Sequence, residues 1–397
     1  MRTVGSSNGD FAASGWRRVA FLLFAAAWGT NHFAPLLLLY RAFLHLRPTD
    51  LGVLFGVYAV GLVPGLLLGG PLSDRHGRRA VVLPSAVVAL AGTAVLAAGA
   101  SGFGVLLVGR LVVGFGSGAT FSAGTAWLHD LSAGGPRGSG AHRATVALSC
   151  GFGGGPLIAA LVAQWAPRPM LIPYLVQAAC LAAALALAWG APDARGAASS
   201  SSSNKRPDFH LPAGFFVEIV PIAPWVFGFA AIAFIVLPGL IRDRLGSFAV
   251  VYAGVVTAAT LLSGVFVQPM LRRVSPRRAA LTGLASGGMG LLVAMAAVGI
   301  SSAAAVLGAA VLLGIGYGAC LIAGLRWVEQ ATVPAIRGRV IGLYYLFTYV
   351  GFAAPFALAA GSPHIGDRAG LGAAAALVVI TTGAAALRPW RNEGSAQ

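Results

Sequence analysis

The sequence predicts an all-α membrane protein with twelve transmembrane helices in two pseudo-symmetric six-helix halves. Three observations predict it. Of the 397 residues, 57 % are hydrophobic and only 10 % charged, with a mean hydropathy of +0.82, so a water-soluble globule of this length would lack the polar surface to cover itself. About twelve apolar runs each approach the roughly 20 residues that a helix needs to cross a bilayer. The chain also nearly repeats at an offset of 200 positions: Gly114-Phe-Gly-Ser-Gly-Ala119 returns as Gly314-Ile-Gly-Tyr-Gly-Ala319, Trp127 as Trp327, Gly151-Phe152 as Gly351-Phe352, and Pro156 as Pro355 to within one residue. One glycine match means little among 55 glycines, but several at a shared offset indicate a duplication. Two same-handed halves predict a substrate site between them.

In order, the runs lie near Val19 to Tyr40, Leu51 to Leu72, Val81 to Ala100, Gly104 to Gly124, Thr145 to Trp165 and Met170 to Trp189 in the first half. Those of the second half lie near Phe215 to Leu240, Phe248 to Leu271, Ala279 to Ile300, Ala303 to Leu325, Val340 to Ala360 and Leu371 to Leu387. Barrel strands would be shorter and would alternate apolar with polar residues, so these continuous runs are helices. The first follows Arg17-Arg18, as a signal peptide would, but it is too long for one, ends in Leu-Leu-Leu-Leu-Tyr40 without a small-residue cleavage pattern, and leads into another span. The chain therefore divides into a tail (1–18), a six-helix half (19–190), a linker (191–213), a second six-helix half (214–388) and a second tail (389–397). The linker segment Gly196 to Asp208, with its run of serines, is too polar to cross lipid and serves as a cytoplasmic tether.

A net charge of +16 raises the question of a nucleic-acid partner, and the placement of the charges answers it. With the N-terminus inside, twenty Lys and Arg face the cytoplasm, six (Arg41, Arg47, Arg168, Arg242, Arg244 and Arg368) face out, and Arg110 lies within a run. That excess is the positive-inside rule, so orientation accounts for the charge, no nucleic-acid partner is expected, and both termini are expected on the cytoplasmic side of an inner membrane. Cys150, Cys180 and Cys320 sit in apolar runs without paired spacing or nearby histidines, which supports neither a disulfide nor a metal site. The sole lysine, Lys205, is not in a nucleotide-binding loop, and no catalytic serine elbow or paired-carboxylate site stands out. The sequence thus reads as neither an enzyme nor a cofactor binder, and glycines such as Gly114, Gly116 and Gly118 read as helix-packing residues.

After the second run comes Gly70-Pro-Leu-Ser-Asp74-Arg75-His-Gly77-Arg78-Arg79, where Gly70 and Gly77 are expected to permit a tight turn and Asp74 sets an anion among Arg75, Arg78 and Arg79. The fourth run carries Arg110 followed by Gly114, Gly116 and Gly118, and the fifth carries Gly151-Phe-Gly-Gly-Gly155-Pro156-Leu-Ile-Ala159-Ala160. These segments resemble, in turn, the signature loop of the major facilitator superfamily, its arginine-glycine motif, and the Gly-Pro motif of its drug:proton antiporter branch. Ala159-Ala160 stand where that last motif ends in two glycines. The resemblance covers essentially the whole chain and implies that residues 70–79 form a conformational latch in which Asp74 meets the start of the eleventh helix, expected near Gly338 or Arg339. The second half's equivalent, Gln268 to Arg278, keeps its proline and arginines but has no acid. Pro156 is expected to bend the fifth helix.

In the family this chain resembles, helices one, four, seven and ten line the pathway, which makes Asn31, His32, Arg110, Glu218, Trp225 and Tyr317 the substrate or proton candidates. An arginine inside a span costs on the order of 2.5–3.5 kcal/mol on insertion scales, so Arg110 faces a partner or cavity, or else snorkels to the interface. His32 suits proton exchange by its unperturbed pKa of about 6.5, or else simply bonds a neighbouring helix. Glu218 either binds a proton or cation, or pairs with linker residues such as Arg206 at the interface. The expected function is export of a small apolar or amphipathic compound by alternating access, coupled to protons, by a monomer in the lipid bilayer. Uptake by a symporter or facilitator, and a receptor or scaffold without transport, are the alternatives.

Overall fold

The structure, a computed structural model, describes residues 7–136, 138–193, 211–387 and 390. Gly196 to Asp208 of the linker and the outer parts of both tails lie outside the described residues, as does the pairing of Glu218 with Arg206. Twelve helices among the described residues are long and apolar enough to cross a membrane: α1 (Gly15–Phe43), α2 (Pro48–His76), α3 (Arg78–Ala97), α4 (Phe103–Asp130), α5 (Ser139–Trp165), α6 (Ile172–Trp189), α7 (Phe215–Leu240), α8 (Arg242–Leu271), α9 (Pro276–Gly299), α10 (Ala303–Ala331), α11 (Ile336–Ile365) and α12 (Asp367–Leu387). The described residues contain no strand. The chain divides into two compact units, Met1–His45 with Leu54–Ser203, and Leu46–Val53 with Asn204–Gln397.

Several helices outrun the apolar stretches that announced them, because backbone hydrogen bonding does not stop where hydropathy does. The helix of α1 already begins at Ser7, α4 continues to Asp130, and α2 continues through Asp74 to His76. Gly70 is therefore helical and makes no turn. The turn belongs to Gly77 alone, whose φ of 99° lies in the region glycine favours. The helix of α11 starts at Pro334, a turn ahead of Gly338, since proline is well suited to a first helical position.

Three helices are interrupted near prolines. Pro35 has no N–H to offer Asn31 O, and the first helix is split at His32 into Ser7–Asn31 and Phe33–Phe43. Pro355 likewise deprives Gly351 O of its partner, and a 3₁₀ turn, Val350–Ala353, interrupts α11 there. In α7 a wide π turn, Ile232–Val236, precedes Pro238. Pro156 is different: α5 stays helical from Ser139 to Trp165, with no interruption at the expected bend.

In lipid, apolar side chains gain nothing by leaving their solvent, so helices associate where small residues let backbones touch. The duplication read from the sequence is written in these contacts. A side chain on Gly151 of α5 would strike Phe24 O and Trp28 N of α1, and one on Gly351 of α11 would strike Pro224 O and Gly228 N of α7. The positions of the glycine and of both backbone contacts repeat at the offset of 200, although the contacted residues differ in type. Gly118 similarly presses on Leu62 O of α2, and Gly318 on Gly264 O of α8. The first unit's core gathers Val19, Leu22 and Leu23 of α1, Val82 of α3, Trp127 of α4 and Leu181 of α6.

Gly351→Val is expected to destabilise the protein by roughly 1–3 kcal/mol through overpacking against α7. Gly361→Val, on the same helix with nothing within 4 Å of the new Cβ, should leave stability unchanged. Thermal melts of the two purified variants in detergent check this, and equal melting temperatures would contradict the packing account.

Candidate functional site

Arg110 lies on α4 with no exposed surface. Its Nε donates to Leu54 O on α2 at 3.2 Å and its Nη1 to Thr30 O on α1 at 3.1 Å, while the guanidinium sits 4.4 Å from the ring centre of Tyr58, 4.6 Å from Phe33 and 5.3 Å from Phe55. The charge is thus spread over two carbonyl dipoles and three ring faces, and the side chain does not snorkel. The carbonyl it takes from α1 lies two residues before the break at His32.

His32 sits in that break, fully buried, with its ring edge-on to Tyr174 of α6 at 4.6 Å. Among the described residues neither ring nitrogen has a hydrogen-bond partner, and neither does Arg110 Nη2. The Tyr174 hydroxyl receives a 2.7 Å hydrogen bond from Tyr40 of α1, and Thr30 Oγ1 lies 3.0 Å from Tyr58 Oη. Asn31, also buried, ends the first segment of α1. Residues from α1 and α2 therefore converge on this cation of α4, with no carboxylate among its contacts in the described residues, while Tyr174 of α6 joins through His32 and Tyr40. Gly151 and Gly155 bring α5 against α1 just before the break, Gly155 facing Trp28 Cα, where an added Cβ would lie at 2.8 Å.

At one end of this unit, Arg78 rather than Asp74 is the hub of the 70–79 segment. Its Nη1 donates to Asp74 and, at 2.8 Å, to Ser73 Oγ, and its Nε donates to Asp130 at the end of α4 at 3.0 Å. Asp74 is the outer partner, its side chain 66 % exposed, against 24 % for Asp130. Arg75 is exposed, and Arg79 lies over the Trp189 ring while its backbone N–H donates to Asp193. The matching segment of the second unit, Gln268 to Arg278, has no acid. There Arg326 of α10 donates to Leu271 O and Val274 O, a cation on the carbonyls at and just past the end of α8.

In the second unit, Glu218 is 5 % exposed and accepts a 2.6 Å hydrogen bond from Trp327 Nε1 of α10. Trp127, the repeat partner of Trp327, donates instead to Pro192 O at 3.0 Å. Trp225 is committed to α12 through Thr381 Oγ1 at 3.2 Å and stacks on Phe229 at 5.2 Å. Tyr317 lies elsewhere, beside Phe227 at 5.9 Å, in a group with Tyr349 and Phe352. The six candidates therefore separate. Asn31, His32 and Arg110 share one site, while Glu218, Trp225 and Tyr317 have separate partners. Tyr40, Tyr58, Tyr174, Asp130, Trp327, Phe227 and Tyr349 complete these groups and were not singled out as site residues by sequence. Trp327 carried a signal in its place in the repeat, and Tyr349 in the aromatic run from Tyr344 to Phe352.

Twelve helices long and apolar enough to cross a membrane define a polytopic membrane protein. The Major Facilitator Superfamily profile matches residues 19–355, and the chain belongs to that superfamily. It is 31 % identical over 87 residues to the glucose transporter GlcP of Staphylococcus epidermidis, covering 22 % of this chain and 19 % of that one. It is 34 % identical over 81 residues to the multidrug resistance protein MdtL of Klebsiella pneumoniae, 20 % of each chain. The matches thus span about a fifth of these relatives' length. Among solved structures it is similar to the nucleoside transporter NupG (TM-score 0.71, 13 % identity, 94 % of this chain and 98 % of that one). It is also similar to a POT family transporter in complex with 5-aminolevulinic acid (TM-score 0.69, 14 % identity, 93 % and 94 %). At such identities the likeness is one of fold.

Arg110→Lys should lower the melting temperature nearly as far as Arg110→Met, because a point charge cannot bridge Thr30 O and Leu54 O as a planar fork does. A lysine variant as stable as the parent protein would show that charge alone suffices. Trp327→Phe removes a buried donor from Glu218 and is expected to cost about 0.6–2 kcal/mol, whereas Glu218→Gln keeps an acceptor and should melt close to the parent temperature. Detergent melts of both variants test this, and a Trp327→Phe protein of parental stability would count against it.

Proposed function

We propose that this transporter exports a small apolar or amphipathic organic compound by alternating access, in exchange for protons, as a monomer with both termini on the cytoplasmic side of an inner membrane. The observation that carries the reading is the glycine face of α5, Gly151 and Gly155 before Pro156, which packs on α1 directly ahead of the break that holds His32. The motif resembles that of the antiporter branch, and a face without side chains lets one helix move along another at little steric cost. His32, its nitrogens without partners beside Tyr174, takes up and releases the proton as the break rearranges. The multidrug resistance protein MdtL, with which the chain shares a stretch, supports export. The Arg78 cluster holds one conformation, with Asp74 as its exposed and exchangeable partner.

A second reading, uptake by symport or facilitated diffusion, is favoured by the stretch shared with the glucose transporter GlcP. The two differ in what a pH step does. Purified protein in liposomes should move solute against its gradient, in the direction opposite to the imposed proton flow. Solute that follows the protons would establish symport, and solute indifferent to the step a facilitator. His32→Ala should make flux indifferent to the step while solute still equilibrates; full pH dependence in that variant would assign the proton elsewhere. Asp74→Asn should slow turnover severalfold with little change in solute affinity, and an unchanged rate would remove the latch.

A further inference from the structure

The second unit holds a group of rings that the proton reading does not use. Phe227 of α7 lies parallel to Tyr349 of α11, 8° between planes and 4.9 Å between centres, with Phe352 at 4.8 Å and Tyr317 of α10 at 5.9 Å. Tyr345 extends the row, 6.4 Å from Tyr349. Phe227, Tyr317 and Tyr349 each fall within two residues of the midpoint of their helices, Phe215–Leu240, Ala303–Ala331 and Ile336–Ile365. The wall is therefore at mid-membrane depth. It is also fixed in place: the 3₁₀ turn Val350–Ala353 brings Gly351 onto the Pro224 and Gly228 backbone of α7, between Tyr349 and Phe352.

Two features show that the wall is not simply core or lipid-facing surface. Phe227, Tyr317, Tyr345 and Tyr349 are all partly exposed. The neighbouring Tyr344 is buried and donates to Cys320 O at 2.9 Å, whereas the hydroxyls of Tyr317 and Tyr345 make no hydrogen bond among the described residues. A phenol left unpaired in hydrocarbon gives up its hydrogen bonds to water without replacing them, which is costly, so these two hydroxyls address water or a ligand. The chemistry of the surroundings narrows the ligand. The nearest charged residues along the three helices are Glu218, Arg326 and Arg339, each well over a turn from these rings. A cation would gain only a modest attraction from desolvated ring faces, with no carboxylate near them along these helices to offset its desolvation.

We infer that this wall is the solute-binding surface of the C-terminal unit, and that it takes an uncharged, ring-bearing compound with hydrogen-bond acceptors at its edge. The ring stacks on Phe227 and Tyr349, and the Tyr317 and Tyr345 hydroxyls donate to the edge acceptors. The inference rests on the transport reading and gives it a substrate class.

The test uses full-length protein with three uncharged ring compounds (uridine, D-glucose and chloramphenicol) and two charged ones (tetraphenylphosphonium and benzoate). Binding is read from melting-temperature shifts and equilibrium dialysis in detergent, and flux from liposomes. At least one uncharged compound should bind and the charged pair should not. Tyr317→Phe and Tyr345→Phe should each weaken that binding threefold to tenfold, and Phe227→Ala more than tenfold. The tyrosine variants change one oxygen and should melt as the parent does without solute, which keeps the comparison readable if Phe227→Ala does not fold. Binding confined to the charged compounds, binding of none, or equal affinity in the tyrosine variants each overturns the inference. Flux that persists unchanged in those variants rejects the wall and leaves the transporter reading intact. Wall-dependent binding without flux would do the reverse.

Discussion

A guanidinium buried in a membrane protein without a carboxylate among its contacts constrains everything near it. Arg110 meets that constraint with backbone and ring faces, drawing Thr30 O from α1, Leu54 O from α2 and the faces of Phe33, Phe55 and Tyr58. Pro35 makes the arrangement possible. By removing one donor from the first helix it opens the turn at His32, and the carbonyl just ahead of that turn points to the arginine instead of staying wholly within a helical ladder. The break, the cation and the unpartnered histidine are thus one structural unit, assembled from four helices.

Around it, the two halves solve the same packing problem at the same positions. Gly151 on Phe24 and Trp28, and Gly351 on Pro224 and Gly228, are one contact made twice. The halves then diverge in chemistry. The first places its polar groups at the broken helix and gathers Asp74, Asp130 and Arg78 at one end. The second replaces that acid cluster by Arg326 on backbone carbonyls, ties Glu218 to Trp327, and lines its mid-membrane level with rings. One half concentrates its buried charge at a broken helix, and the other concentrates rings at mid-membrane level.

Much of the fold was legible in the sequence because lipid leaves a chain few options: long apolar runs must be helices, and a repeat in glycine positions reports on packing that those glycines permit. The helix ends were less legible, since Asp74 and Asp130 continue helices past the point where hydropathy falls. The candidate site was half legible. Arg110 and His32 stand out as polar residues in greasy runs, but their surroundings do not, because a backbone carbonyl acceptor leaves no trace in residue type. Attention to helices one, four, seven and ten passed over Tyr345, Tyr349 and Phe352, although the aromatic run from Tyr344 to Phe352 was there to read. Trp225 looked like a pathway residue by position and is bound to Thr381 of α12.

The central claim is that solute crosses in exchange for a proton carried at the broken first helix. Liposomes loaded with a pH-sensitive dye, holding the unaltered protein and given a transported solute on one side with no imposed pH gradient, test it most directly. The account predicts that solute entry alkalinises the lumen, because protons leave as solute enters. Solute entry with the internal pH unchanged, or with protons entering alongside it, would contradict the account.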